Sequence, residues 1–68
     1  MNECYKLIIL KDNEGRRNSM AAYYPLRAEC LIAAEEDFER WKKEPGVTGL
    51  HLFRMDNLGM KELRRWQE

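Results

Sequence analysis

The sequence has no excess of charge of either sign. Twelve acidic and twelve basic side chains give its 68 residues a formal net charge of zero. A neutral chain has no overall field to draw it onto nucleic acid or an anionic membrane, so binding of that kind would need a local cluster of charges. The totals therefore exclude a protein that binds nucleic acid through bulk electrostatic attraction.

Long hydrophobic runs are also missing. The apolar run at residues 7–10 is far too short to cross a membrane, and the opening Met-Asn-Glu-Cys has no basic or apolar segment of a signal peptide. We therefore expect a cytoplasmic protein with no membrane partner.

Metal-binding residues are few and scattered. The chain has two cysteines, Cys4 and Cys30, and one histidine, His51. Two cysteines are too few for the disulfide framework of a small secreted domain, so we expect free thiols. Structural zinc sites usually bring four ligands in closely spaced pairs. The sequence therefore predicts no metal and no cofactor.

Catalytic side chains are scarce too, with one serine, Ser19, and one threonine, Thr48. A nucleophile and base pair made of Cys30 and His51 is conceivable, but no other feature supports it. A partly buried strand histidine more often has a backbone hydrogen-bond partner. We predict that the protein is not an enzyme.

The chain does have enough apolar residues for a core. Hydrophobic residues make up 44% and charged residues 35% of the sequence, which is typical of globular proteins. We expect residues 1–68 to form a single domain. At this length only about 60% of the unfolded surface is buried, so association would stabilise the fold.

Two similar tetrapeptides, Asp-Asn-Glu-Gly at residues 12–15 and Asp-Asn-Leu-Gly at residues 56–59, predict turns. Asp at the first position and Gly at the fourth are favoured in type I turns. Each turn would join two strands rich in β-forming residues. The predicted strands span residues 5–10, 16–24, 47–55 and 60–66. The last also has helical spacing at Met60, Leu63 and Trp66, but it is too short for an isolated helix.

Residues 27–43 between the hairpins are predicted to form a helix. Apolar residues recur there at steps of three and four and form one stripe. The stripe contains Cys30, Leu31, Ala34, Phe38 and Trp41. Acidic residues lie toward the start and middle, basic residues crowd the end, and Pro45 and Gly46 stop the helix.

The order strand, strand, helix, strand, strand predicts an α+β fold with a four-stranded antiparallel sheet. Strands 1 and 3 are apolar on both faces and therefore belong in the centre. Strand 4 carries charges at residues 61, 62, 64 and 65, which suit an edge strand. The predicted spatial order is 2-1-3-4, with the helix packed on one face.

One helix covers one face of such a sheet, so we expect the other face to be open. An exposed apolar face usually marks an association surface. We predict a protein-binding module that forms a homodimer or acts as a stoichiometric adaptor or inhibitor of a larger protein. The candidate contact residues are Tyr5, Leu7, Ile9, His51, Phe53 and Met55. The alternate set, which periodicity does not exclude, is Ile8, Leu10, Leu50 and Leu52.

The alternative function is binding of RNA or single-stranded DNA. Basic residues of the second and fourth strands would contact phosphates, and an aromatic ring would stack on bases. The candidates are Arg16, Arg17, Lys61, Arg64, Arg65 and Trp66. If strands 2 and 4 are opposite edges, however, these residues form two separate clusters.

Overall fold

The computed structural model describes residues 3–68, which form one antiparallel sheet and one helix. The elements are β1 (Cys4–Asn13), β2 (Arg16–Pro25), α1 (Ala28–Lys42), β3 (Val47–Asp56) and β4 (Gly59–Gln67). Neighbouring strands are antiparallel in the order β2-β1-β3-β4. The predicted α+β fold, its strand order and the strand at residues 60–66 are confirmed.

The β1–β2 hairpin closes on a two-residue turn at Glu14 and Gly15. Both residues have positive φ, 54° and 80° respectively, which defines a type I′ turn. Asn13 faces Arg16 across it, and Asp12 lies within the strand. The prediction of a type I turn over residues 12–15 is therefore wrong. The turn lies one residue later, over residues 13–16, and is of type I′. The type I′ geometry is preferred because its twist matches that of the two strands.

The β3–β4 hairpin does follow the predicted frame. Asp56 faces Gly59 across the turn, and its Oδ1 accepts a hydrogen bond from the Leu58 N–H at 2.9 Å. Gly59 then rejoins the strand with a φ of 123°. A type I′ turn one residue later would require positive φ at Leu58, which is unfavourable for a bulky side chain.

The core lies between α1 and one face of the sheet. Leu7, Leu50 and Leu52 are fully buried there against Phe38, which is 1% exposed. Leu31 and Trp41 from the predicted helix stripe pack around this cluster. The helix is therefore fixed to the two central strands by its apolar stripe, as the spacing predicts.

The connection from α1 to β3 positions β3 beside β1. The Val47 N–H donates to the Glu44 carbonyl at 3.3 Å, and Gly46 has a φ of 88°, as a type II turn with Pro45 at its second position requires. The Gly46 carbonyl accepts the Asp12 N–H at 2.8 Å. This bond ties the turn to β1 where β3 begins.

Candidate interaction surface on the open sheet face

The sheet face opposite α1 is called the open face here, because no element formed by residues 3–68 covers it. Its side chains alternate with those of the core along each strand. The two central strands contribute Lys6, Ile8, Leu10, His51, Phe53 and Met55. The edge strands add Tyr23 from β2 and Met60 from β4.

The register between β1 and β3 corrects the predicted grouping of contact residues. Leu7 pairs with Leu52, and Ile9 with Leu50. Tyr5, Leu7 and Ile9 are thus in the core, with exposures of 6%, 0% and 2%. They do not share a face with His51, Phe53 and Met55. The alternate set is mixed in the same way, since its β1 members lie on the open face and its β3 members in the core.

The physical reason for this error is that no turn joins β1 to β3. A two-residue turn fixes which residues oppose each other in a hairpin, whereas a helical connection leaves the register to tertiary packing. One signal in the sequence did indicate the correct grouping. Lys6 interrupts one face of β1 and His51 one face of β3, so the uniformly aliphatic faces were the better core candidates.

The central strands of the open face carry mostly apolar side chains, with Lys6 opposite Phe53 and His51 opposite Ile8. Cys4, opposite Met55, is buried, and the others are partly accessible. Ile8, Phe53 and Met55 are half-buried by their neighbours within the sheet. Leu10, Tyr23 and Met60 are more open, with exposures of 36%, 63% and 58%. Within residues 3–68, the shielding of these side chains therefore comes from neighbouring strands of the sheet, since no second layer covers them.

Charged residues lie on both sides of Phe53, with Lys6 opposite it on β1 and Glu62 opposite it on β4. Glu62 on β4 accepts a hydrogen bond from Arg65 Nε at 2.9 Å, and its other carboxylate oxygen lies 3.4 Å from His51 Nδ1. Toward β2, the Lys6 ammonium lies 5.7 Å from the centre of the Tyr23 ring. Within residues 3–68 Lys6 forms no ion pair, so its charge is available to a partner.

A shallow recess of about 650 Å³ lies at one end of the open face. Leu10, Ser19, His51 and Gln67 line it, one from each strand. Gly49 shapes its floor, because a Cβ at this position would lie 3.1 Å from Leu10 Cδ1. The recess offers room for a side chain of a partner rather than an enclosed ligand cavity.

The nucleic-acid candidates do not come together. Arg16 and Arg17 lie on β2, while Lys61, Arg64 and Arg65 lie on the opposite edge strand. Two strands separate the clusters, a distance of about 14 Å.

Two members of this set also have structural contacts on the helix side of the sheet. Arg64 donates to Glu39 at 2.7 Å and stacks 4.4 Å from the centre of the Phe38 ring. Its hydrogen bond lowers the pKa of Glu39. Trp66 pairs with Leu50 and packs against the core.

The sheet separates the two residues of the conceivable catalytic pair. Cys30 is on α1, on one side of the sheet, and His51 is on the open face. The side-chain partner of His51 is Glu62, not the backbone partner that the sequence suggested. Among residues 3–68, no three His, Cys, Asp or Glu side chains group as a metal site would require.

Comparisons with known proteins add no functional assignment. The sequence matches no protein-family model, and neither a curated protein nor a solved structure matches it. No helix within the described part of the chain is both long and apolar enough to cross a membrane. Function is therefore inferred from the geometry of the open face.

Proposed function

We propose that this protein is a non-enzymatic binding module whose open face receives an apolar surface of a partner protein. The observation that carries the proposal is that Ile8, Phe53 and Met55 lie together on the central strands, on the face that α1 does not cover. Contiguous apolar surface of this kind is uncommon on proteins that work as monomers.

The size of the face supports a protein partner. The two longer dimensions of the molecule are 38 and 20 Å, so the face is on the order of 800 Å², which is what each partner contributes to an interface of standard size. An interface of normal extent would use most of the sheet.

The composition of the face also fits an interface. Its central strands hold an aromatic residue, Phe53, and a methionine, Met55, with a single charged residue, Lys6, opposite Phe53. Interface centres are enriched in aromatic residues and methionine and depleted in charge. We expect the partner to place a carboxylate against Lys6, whose ammonium forms no ion pair within residues 3–68. The role that suits such a surface is that of a stoichiometric adaptor or inhibitor.

The test compares three forms of the chain as bait in affinity capture. Phe53→Lys places a charge in the middle of the open face, and Ile32→Lys places the same charge on the solvent side of α1, where Ile32 is 60% exposed. A partner that binds the open face is retained by wild type and Ile32→Lys and lost by Phe53→Lys. The recovered protein should also shift the amide NMR signals of open-face residues.

Circular dichroism must show that both variants are folded. A partner retained equally by all three forms would contradict the proposal. So would signal changes confined to the helix. Self-association through the open face would appear as a dimer that Phe53→Lys dissociates.

A further inference from the structure

The two edge strands of the sheet differ in how they are protected. On β4, four of nine residues are charged, and its ladder with β3 contains a register shift between Leu52 and Phe53. Charges and bulges of this kind prevent an edge strand from pairing with another chain. On β2, no charge occurs from Asn18 to Tyr24, and ten residues pair with β1 without any shift. The β2 edge is therefore long, regular and unprotected.

We propose that the outer edge of β2 is a self-association site, where a second copy of this chain adds its own β2 in antiparallel orientation. The two copies would be related by a two-fold axis perpendicular to the sheet at Ala21. The product is a continuous sheet of eight strands with both helices on one side. This inference concerns a different surface from the open face and does not depend on the proposed function.

The main-chain geometry leaves suitable groups free along β2. The two-residue turn makes Asn13 and Arg16 a hydrogen-bonded pair, and such pairs alternate along an antiparallel ladder. In agreement, Asp12 directs its N–H away from β2, to Gly46. By this alternation, Arg17, Ser19, Ala21 and Tyr23 direct their N–H and C=O groups away from β1. Those of Ser19, Ala21 and Tyr23 provide about six hydrogen bonds across a two-fold axis.

Pro25 and the sizes of the facing side chains together set the register of this pairing. Proline has no N–H, and its carbonyl already accepts the Arg27 N–H at 2.8 Å, so the new ladder ends at Tyr23. Arg17 also points outward, and a two-fold axis at Ala21 places it opposite Pro25 of the second copy, so the fully hydrogen-bonded pairs run from Ser19 to Tyr23. In this register Ser19 faces Tyr23 of the second copy, and Met20 faces Ala22. Each large side chain meets a small one, which favours close packing of cross-strand pairs.

The charges of β2 favour a second copy as the occupant, in this orientation. Arg16 and Arg17 at one end are its only charged residues. In a parallel, in-register pair they would meet the same residues of the second copy and repel them. Antiparallel pairing places the two Arg17 side chains about 26 Å apart. Each Arg17 lies instead near the uncharged end of the other strand, where its guanidinium can form a cation–π contact with the Tyr23 ring.

Amide exchange of the 68-residue chain gives the most direct test. We expect sedimentation equilibrium to show a dimer that forms as concentration rises. Over the same range, NMR should show slower exchange at Ser19, Ala21 and Tyr23, whereas Met20 and Ala22, which bond to β1 in both states, should not change. A monomer at millimolar concentration, or a dimer without this alternating protection, would overturn the inference.

Two variants separate the edge from the open face. Ala21→Pro removes the N–H that points to the second copy without removing a bond to β1. It should weaken dimerisation by about tenfold or more. The substitution is present in both symmetry-related copies, and each copy loses one hydrogen bond to the other, two in all. Phe53→Lys should leave the dimer intact. The reverse result would place self-association on the open face and overturn the edge model. If Ala21→Pro fails to fold, the amide-exchange pattern of the wild type still tests whether the copies pair through β2.

Discussion

At the scale of single residues, Tyr24 links β2 to the helix. Its hydroxyl donates to Asp37 Oδ2 at 2.7 Å, and Arg40 pairs with the other oxygen of the same carboxylate. Burial raises the pKa of Tyr24, with the positive charge of Arg40 acting in the opposite direction. The folded state therefore favours the protonated form of the Tyr24 hydroxyl.

Replacing Tyr24 by Phe should lower the free energy of unfolding by about 1 kcal/mol at neutral pH, because Asp37 loses a hydrogen-bond donor. The pH dependence has a defined sign. Since the pKa of Tyr24 is higher in the folded state, its contribution is complete below the unfolded value, about 10, and is lost as pH rises through the folded value. Urea unfolding at neutral and alkaline pH measures both effects.

The adjacent tyrosine provides the matched control. Tyr23 lies on the open face and is 63% exposed, so Tyr23→Phe should change stability by less than about 0.5 kcal/mol. Equal losses for the two variants would show that the bond to Asp37 is not what stabilises this region.

At the scale of elements, the β1–β2 turn holds a residue in an unfavourable conformation. Glu14 has a φ of 54° and is the only non-glycine residue within 3–68 with positive φ. Left-handed backbone costs about 1 kcal/mol for most residues and less for asparagine. Asn-Gly is the preferred sequence for a type I′ turn.

Glu14→Asn should therefore raise the free energy of unfolding by roughly 0.5–1 kcal/mol. Thermal unfolding followed by circular dichroism would show a higher midpoint. The same substitution at Leu58, which is 97% exposed in the other hairpin and does not have positive φ, should give no comparable gain. A loss of stability in Glu14→Asn would contradict the type I′ assignment.

At the scale of the whole molecule, one helix on one face divides the sheet into a buried and an open side. Two adjacent residues of β1, Leu7 and Ile8, lie on opposite sides of the sheet. Leu7 is fully buried under α1, and Ile8 is half-buried on the open face. The two side chains are similar in size and differ in what covers them.

Leu7→Ala should lower the free energy of unfolding by about 2–5 kcal/mol, which is a large part of the stability of so small a domain. Ile8→Ala should lower the free energy of unfolding by roughly 1 kcal/mol, since the Ile8 side chain is only partly removed from water. Urea unfolding of both variants tests the division, provided that it is measured at concentrations where the chain is monomeric. Comparable losses would indicate that a second layer covers Ile8 in solution.

Sequence patterns predicted the elements well because each pattern is local. The helix stripe of Leu31, Phe38 and Trp41 repeats within a few turns, and the charges of β4 identify an edge strand without knowledge of its neighbours. The contact residues were predicted less well. Sorting Tyr5 from Phe53 required the register of β1 against β3, which no turn fixes and which only Lys6 and His51 indicate in the sequence.

The amino-acid sequence by itself determined the order of elements, the central position of β1 and β3, and the imbalance between two apolar sheet faces and one amphipathic helix. These follow from composition and from spacing along the chain. The tertiary structure decided which face of each central strand the helix covers, a choice that Lys6 and His51 only indicate in the sequence, and hence that Ile8 and Phe53 remain on the open side. That choice depends on residues distant in sequence, and it is made when the Gly46 turn and the aliphatic faces of β1 and β3 pack together around Phe38.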